Sequence, residues 1–398
     1  MLPLLLVVLA APAPAAAPKK PALPARAAVF VVGADRDKQA AAEVLESKVT
    51  KALENAKVDL VALDELFPAP KPDEAGRAQF AEAKKAWDDL DYEAAVDKAE
   101  RALVAFTQHP ESADAATLGD VQVFIGAVSM QLHGKAAAKK AQEAFARALL
   151  FNPDLQFDAQ VYGGDAKKVF DKAKQDVAGR GMGALTINST PAGAEVALRD
   201  KAIGLTPLSD APSVPVGRHL VKFSRPGFVT AGAFADVTSS GATVNATLPA
   251  TPGYAEARDA AATLATNGVG TGKVPPSAKK LAEVMHARFL VLAVQRSDGA
   301  PLEVWDVETG NRLGDVALTD DASFADAAAR VKDFLDHPSP IAAPVATVTA
   351  EQGGGEPVYK KWWFWTAVGV VVVGGAATAI GVAAANSNRG YNVVLGTP

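Results

Sequence analysis

The sequence predicts a multidomain α+β fold with a single C-terminal transmembrane helix, and three patterns predict it. From Gly76 to Gln175, apolar residues recur at helical spacing. From Met182 to Leu248, short stretches alternate apolar and polar between Pro and Gly turns, as in a small all-β sandwich. From Trp362 to Ala385 no residue is charged, a length that crosses the hydrocarbon core of a bilayer. The divisions that follow are 1–17 signal peptide, 27–67 α/β half-unit, 76–176 helical-repeat domain, 182–250 β-domain, 253–336 α/β module, 337–359 tether and 362–385 transmembrane helix.

Composition narrows the function. A chain of 398 residues has room for two to four domains. The net charge of −5 gives no electrostatic reason for a nucleic-acid partner. The five histidines, at 109, 133, 219, 286 and 337, have no metal-ligand spacing. The absence of cysteine excludes disulfides, thiolate metal sites, cysteine nucleophiles and a lipid-modified N-terminal cysteine.

Both ends of the sequence read as membrane segments. Leu2–Ala11 is too short to span a bilayer but fits a signal-peptide apolar core, with Ala13-Pro14-Ala15 as a cleavage site. No Lys or Arg precedes that run, which departs from the signal pattern; a disordered Ala/Pro tail is the competing reading. At the other end, Trp362, Trp363 and Trp365 form an aromatic belt, with Lys360 and Lys361 just outside it. Gly369, Gly374, Gly375 and Gly381 suit close helix packing or reflect a Gly/Ala-rich composition. Export puts the lysines on the outer side and only Arg389 inside, against the positive-inside rule. The signal acts first, so the body is expected outside the cytoplasm.

Residues 27–67 read as strand, helix, strand. "AAVFVVGA" is a β-type run, Ala42, Val44, Leu45, Val49 and Leu53 mark the helix, and "VDLVALDELF" opens a second strand. This half-unit is too small to stand alone; pairing with the α/β module near the other end would close one sheet. "PAPKPDEAGR" breaks the chain before the helices.

Two parts of the helical region resemble tetratricopeptide helix pairs. Tyr92, Ala95, Ala102 and Leu103 fall at its packing positions in one, and Phe145, Ala148, Leu149 and Pro153 in the other. Ala86 stands where an aromatic is usual, and a loop of altered length is expected near His133 to Lys139. The resemblance implies stacked pairs with a peptide groove; a plain bundle without a groove is the alternative.

The β region begins with "GALTINST", "AEVALRD", "VGRHLVKFSRPGFV" and "ATVNATL" as strands. Pro191 and Gly193 set a turn, Arg199-Asp200-Lys201 is a hairpin tip, Thr206-Pro207 ends a strand, and Gly217 and Gly227 mark further turns. His219 is expected as a half-exposed packing residue. The order Ser189-Thr190-Pro191-Ala192-Gly193-Ala194, Gly204-Leu205-Thr206-Pro207, Val216-Gly217-Arg218-His219 and Pro226-Gly227-Phe228 resembles a PEGA domain, with Ala192 in place of the family's Glu. That resemblance implies a surface or envelope module that binds or adheres, and it carries no catalytic residues.

The last soluble region reads as two helices, "YAEARDAAATLA" and "SAKKLAEVMHA", a buried strand "RFLVLAVQ", a hairpin around Glu308 to Asn311, and a helix "SFADAAARVKDFL". It is loosely similar to α/β modules that assist bacterial envelope complexes. "NGVGTGKVPPS" imitates a phosphate loop but lacks its first Gly (Asn267), has Val274 after Lys273, and continues into Pro275-Pro276. It is expected to be a flexible loop that binds no nucleotide. No G-x-S-x-G elbow or His/Asp/Ser grouping appears. The expectations are therefore no catalytic residue, no cofactor and no metal.

The function expected from these features is a non-catalytic, membrane-anchored scaffold or binding protein of the bacterial cell envelope. It would sit in the inner membrane as a single-pass protein with a periplasmic body, and contact envelope proteins or peptidoglycan. A single-pass sensor is the alternative, though little sequence follows Ala385 to carry an output. A cell-wall hydrolase would need a paired-carboxylate or metal site.

Overall fold

A computed structural model describes residues 22–132, 134–208, 210–318 and 323–339. The segments expected as signal peptide (1–17) and transmembrane helix (362–385), and most of the expected tether, lie outside the described residues. The described elements make a mixed α+β protein.

The first strand, β1 (Ala27–Gly33), is buried on both faces. Helix α1 (Arg36–Asn55) starts where the Asp35 side chain accepts the Lys38 amide, and it buries the stripe Ala42, Glu46, Val49 and Leu53. Residues expected to open a second strand do not: Leu60 makes one isolated bridge to Ala27, and Leu63–Leu66 turns into the short helix α2. The Asp64-Glu65 pair favours a helical first turn over a ladder.

The helical region holds α3 (Ala75–Asp88), α4 (Tyr92–Gln108), α5 (Ala115–Ser129), α6 (Lys135–Phe151), α7 (Ala159–Tyr162) and α8 (Gly164–Ala178). Asp91 and Asp114 cap α4 and α5 by accepting the Ala94 and Thr117 amides. Helices α3 with α4, and α5 with α6, pack as neighbours. The small residues Ala83, Ala95, Ala99 and Ala102 lie at their contact, wholly buried. The segment expected as a loop after His133 is helix from Lys135 onward, because its alanines and lysines favour that state. Ala115–Leu132 is long and apolar enough to cross a membrane by composition, yet 67% of that window is buried inside the protein. It is the central helix of this layer.

Seven strands follow: β2 (Met182–Thr190), β3 (Glu195–Leu198), β4 (Lys201–Leu205), β5 (Ser213–Pro215), β6 (Gly217–Ser224), β7 (Ala231–Val237) and β8 (Ala242–Thr247). They form one sheet in the order β5-β2-β8 and another in the order β4-β3-β6-β7. Leu185, Ile187, Val196, Val221, Phe223, Val237 and Val244 fill the space between them. Arg199 and Asp200 both take positive φ (54° and 58°), the geometry of a two-residue hairpin turn that twists with its strands.

The chain then adds α9 (Tyr254–Gly268), α10 (Ala278–Val284), β9 (Phe289–Gln295), β10 (Leu302–Asp306), β11 (Asn311–Val316) and α11 (Ser323–Asp336). Strand β1 runs parallel to β9, in register from Ala27 opposite Phe289 to Gly33 opposite Gln295. The four-stranded sheet β1-β9-β10-β11 thus unites segments from distant parts of the sequence. Its strands alternate sides. Val31, Val291 and Ala293 face α1 and α11, while Phe30, Leu290 and Leu292 face α9 and α10.

Candidate functional site

The densest buried charge lies where α1 meets the β-domain. Glu46 Oε1 accepts from Arg225 Nη2 at 2.7 Å and from Arg258 Nη1 at 2.6 Å. Its Oε2 accepts the Val31 amide at 2.9 Å, which ties the cluster to β1. Arg225 also donates to the Ala192 carbonyl, and the Phe228 ring lies 5.3 Å from its guanidinium and 5.6 Å from that of Arg258. Glu43, one turn before Glu46, accepts the Ala192 amide. Gly193 is needed beside it: φ is +74°, and a Cβ there would stand 2.6 Å from the Glu43 carbonyl oxygen.

The electrostatics of the cluster follow from this geometry. Burial pushes the Glu46 carboxyl up, but Arg258, Arg225 and the Val31 amide outweigh it and hold the group below the ordinary value of 4.5. Burial works against the Arg258 cation, and Glu46 more than restores it, so its pKa lies above the ordinary arginine value. Burial, with Glu46 adding to it, pushes the Tyr254 hydroxyl up to about 12. None of the three exchanges a proton near neutrality, so the arrangement holds chain segments together and does not perform acid–base work at pH 7.

Two clefts flank this weld. One, of about 510 Å³, is lined by Lys51, Glu54, Asp64, Glu195, Arg225 and Phe228. Asp64 is engaged there, accepting the Gly227 amide at 3.0 Å. The other, of about 700 Å³, runs between α1 and the β4 edge, with Val44, Leu45, Ile203 and Leu208 on its walls.

Residues singled out in the sequence take structural positions. Gly270 in the imitation phosphate loop donates its amide to Glu303 Oε1 at 2.7 Å, so a carboxylate already occupies that donor. Glu303 also accepts from Trp305 Nε1, and Arg312 lies 3.4 Å away. At the hairpin, Arg288 grips Asp306 through two hydrogen bonds of 3.1 and 2.6 Å. His219 is not half-exposed. It is wholly buried, and its Nε2–H donates to the Pro215 carbonyl at 2.7 Å. Leu150 of α6 packs where Gly217, two residues before His219, leaves room, so the strand face read as open is covered by the helical layer. Among the described residues, no group of three or more His, Cys, Asp or Glu could hold a metal ion.

Sequence reasoning missed the Glu46 cluster, although a signal existed. Positions 42, 46, 49 and 53 form the apolar stripe of α1, and a carboxylate stands in it. A charge at a core position of an amphipathic helix calls for a buried partner. Its partner, Arg225, directly precedes the Pro226-Gly227-Phe228 turn of the β-domain.

The two-sheet arrangement and its turn residues define a small all-β module held inside a larger α+β body. A PEGA domain is found at residues 182–252. No curated protein and no solved structure matches the chain.

Proposed function

We propose that the protein is a non-catalytic scaffold or binding protein of a bacterial cell envelope, anchored by the 362–385 segment with its body in the periplasm. In this reading the helical layer is tetratricopeptide-like, and the PEGA domain is displayed by the rest of the body. The observation that carries the reading is the clamping of the PEGA domain from two sides. Glu46 and Glu43 of α1 hold Arg225 and Ala192 on one side. On the other, Lys222 donates to the Ala113 carbonyl, and the Gly232 backbone abuts Pro110. A module fixed at both ends keeps its free surfaces at set angles, which suits presentation to partners.

Topology tests the reading. Spheroplasts of bacteria expressing the full chain, with a tag after Pro398, are treated with protease. Digestion of the body with protection of the tag is expected. A protected body with loss of the tag would place the protein on the cytoplasmic side and end the envelope reading.

A further inference from the structure

A third cavity lies on the opposite side of the PEGA domain, between α4, α5 and α6 and the strands β6 and β7. Its volume is about 400 Å³. Leu103, Leu118, Phe151 and Phe234 give it apolar walls, and Val104, 57% exposed, stands at its mouth. Two guanidiniums reach it, from Arg147 and Arg218, and no lining residue is acidic. Arg218 stacks 4.3 Å over the Phe234 ring, and its buried Nε has no hydrogen-bond partner among the described residues. Among the described residues, the ion-pair partner of Arg147 is Glu143, one helical turn away at 3.4 Å.

Inside the cavity is Gln122, only 4% exposed, whose Oε1 has no hydrogen-bond partner among the described residues. A buried carbonyl oxygen left unpaired costs about 1–3 kcal/mol, so the position calls for a polar group that the described residues do not supply. A half-turn of the amide exchanges its oxygen and nitrogen, so it can take either a peptide N–H or a peptide C=O.

We propose that this cavity binds the C-terminal residue of a polypeptide whose last side chain is apolar. The carboxylate would pair with Arg147 and Arg218, the side chain would enter between Leu118, Phe151 and Phe234, and the last peptide group would satisfy Gln122. In a polypeptide, an apolar side chain and a main-chain carboxylate share one Cα only at the C-terminus. Arginine matches a carboxylate with paired donors and stacks on aromatic rings, so Arg218 can do both at once. A fatty acid offers a carboxylate and an apolar body but no N–H donor for the Gln122 oxygen. The inference deepens the binding reading above by naming the class of partner.

The test uses the purified full chain and a dye-labelled hexapeptide ending in Gly-Gly-Leu with a free carboxylate, followed by fluorescence anisotropy. Saturable binding is expected, weakened about tenfold by C-terminal amidation and about tenfold by Arg218→Gln. Arg147→Gln, on the exposed side of α6, should weaken binding in the same direction without touching the fold. Gln122→Leu should lower affinity while leaving the melting temperature unchanged or higher, since it removes the orphan amide. Equal binding of the acid and the amide overturns the proposal, as does displacement of the peptide by decanoate at equal concentration. So does lack of saturable binding by folded protein. Each of those results leaves the topology experiment untouched, so the two readings fail separately.

Discussion

Removal of the Glu46 carboxylate should be the most damaging single change in the α1 interface. Glu46→Ala leaves Arg225, whose side chain is 3% exposed, and Arg258 as cations without their carboxylate, and leaves the Val31 amide without its acceptor. Breaking one side of a buried ion pair costs about 3–5 kcal/mol, because the surviving charge stays desolvated. The orphaned amide belongs within that figure, since the groups share one network. At about 2 °C per kcal/mol for a unit of this size, the melting temperature should fall by about 6–10 °C. Denaturation followed by circular dichroism measures it. The triple change Glu46→Leu, Arg225→Met, Arg258→Leu should recover most of the loss, because a well-packed apolar replacement avoids desolvation altogether. The pH dependence supplies a second check. The folded-state pKa of Glu46 lies below its ordinary 4.5, so its contribution is complete above pH 4.5 and is lost as the pH falls through the folded value. Wild type and Glu46→Ala should converge in that acid range. A loss below about 1 kcal/mol at pH 7 would refute the reasoning, since it would mean that water reaches the cluster.

Two further predictions concern the other side of the PEGA domain. Gly232→Ala places a Cβ 2.5 Å from the Pro110 carbonyl carbon, against backbone that cannot swing away, so a loss of about 1–3 kcal/mol in urea denaturation is expected. His219 is held neutral: burial lowers its pKa below 6.5, and the Pro215 carbonyl only partly opposes this. Its neutral burial therefore stabilises the fold fully above pH 6.5, and that stability is lost as the pH falls below 6.5 toward the folded value. Urea midpoints of the wild type should drop over that interval, and those of His219→Phe should stay flatter.

How far the sequence revealed this structure depended on the range of the interactions concerned. The PEGA turns were legible because Pro191, Gly193, Arg199-Asp200 and Thr206-Pro207 act on backbone within a few residues. Strand β7 was not, because Ala231-Gly232-Ala233-Phe234-Ala235 has little β character of its own; its pairing with β6 and its contact with Pro110 decide the state. The sheet partner of β1 could be suggested from two matching apolar runs, but its register opposite Phe289–Gln295 depends on packing by α1 and α9. The absent strand at 58–67 shows the reverse case, in which an apolar run with acidic neighbours takes a helical turn. The cavity arginines gave no sequence signal, since Arg147 and Arg218 converge only when α6 lies on β6.

The clamping also governs how the PEGA domain can be studied. Its interior is not closed. Phe228 packs on Tyr254 of α9 at a ring distance of 5.6 Å, Leu220 joins the helical core, and Arg225 is neutralised by Glu46 of α1. Excision of residues 182–252 would expose those apolar surfaces to water at roughly 25 cal/mol per Å² and strand Arg225 without its carboxylate. Domains of that size bury a smaller fraction of their unfolded surface than larger ones, roughly 60%, and have little stability to lose. The isolated fragment should therefore unfold at a lower urea concentration than the same residues in the full chain, with poorly dispersed amide resonances before any denaturant is added. A fragment with sharp, native-like spectra and an unchanged midpoint would show that the two clamps only position the domain. Broad spectra would mean that they complete its core, and that binding by this domain has to be measured on the full chain.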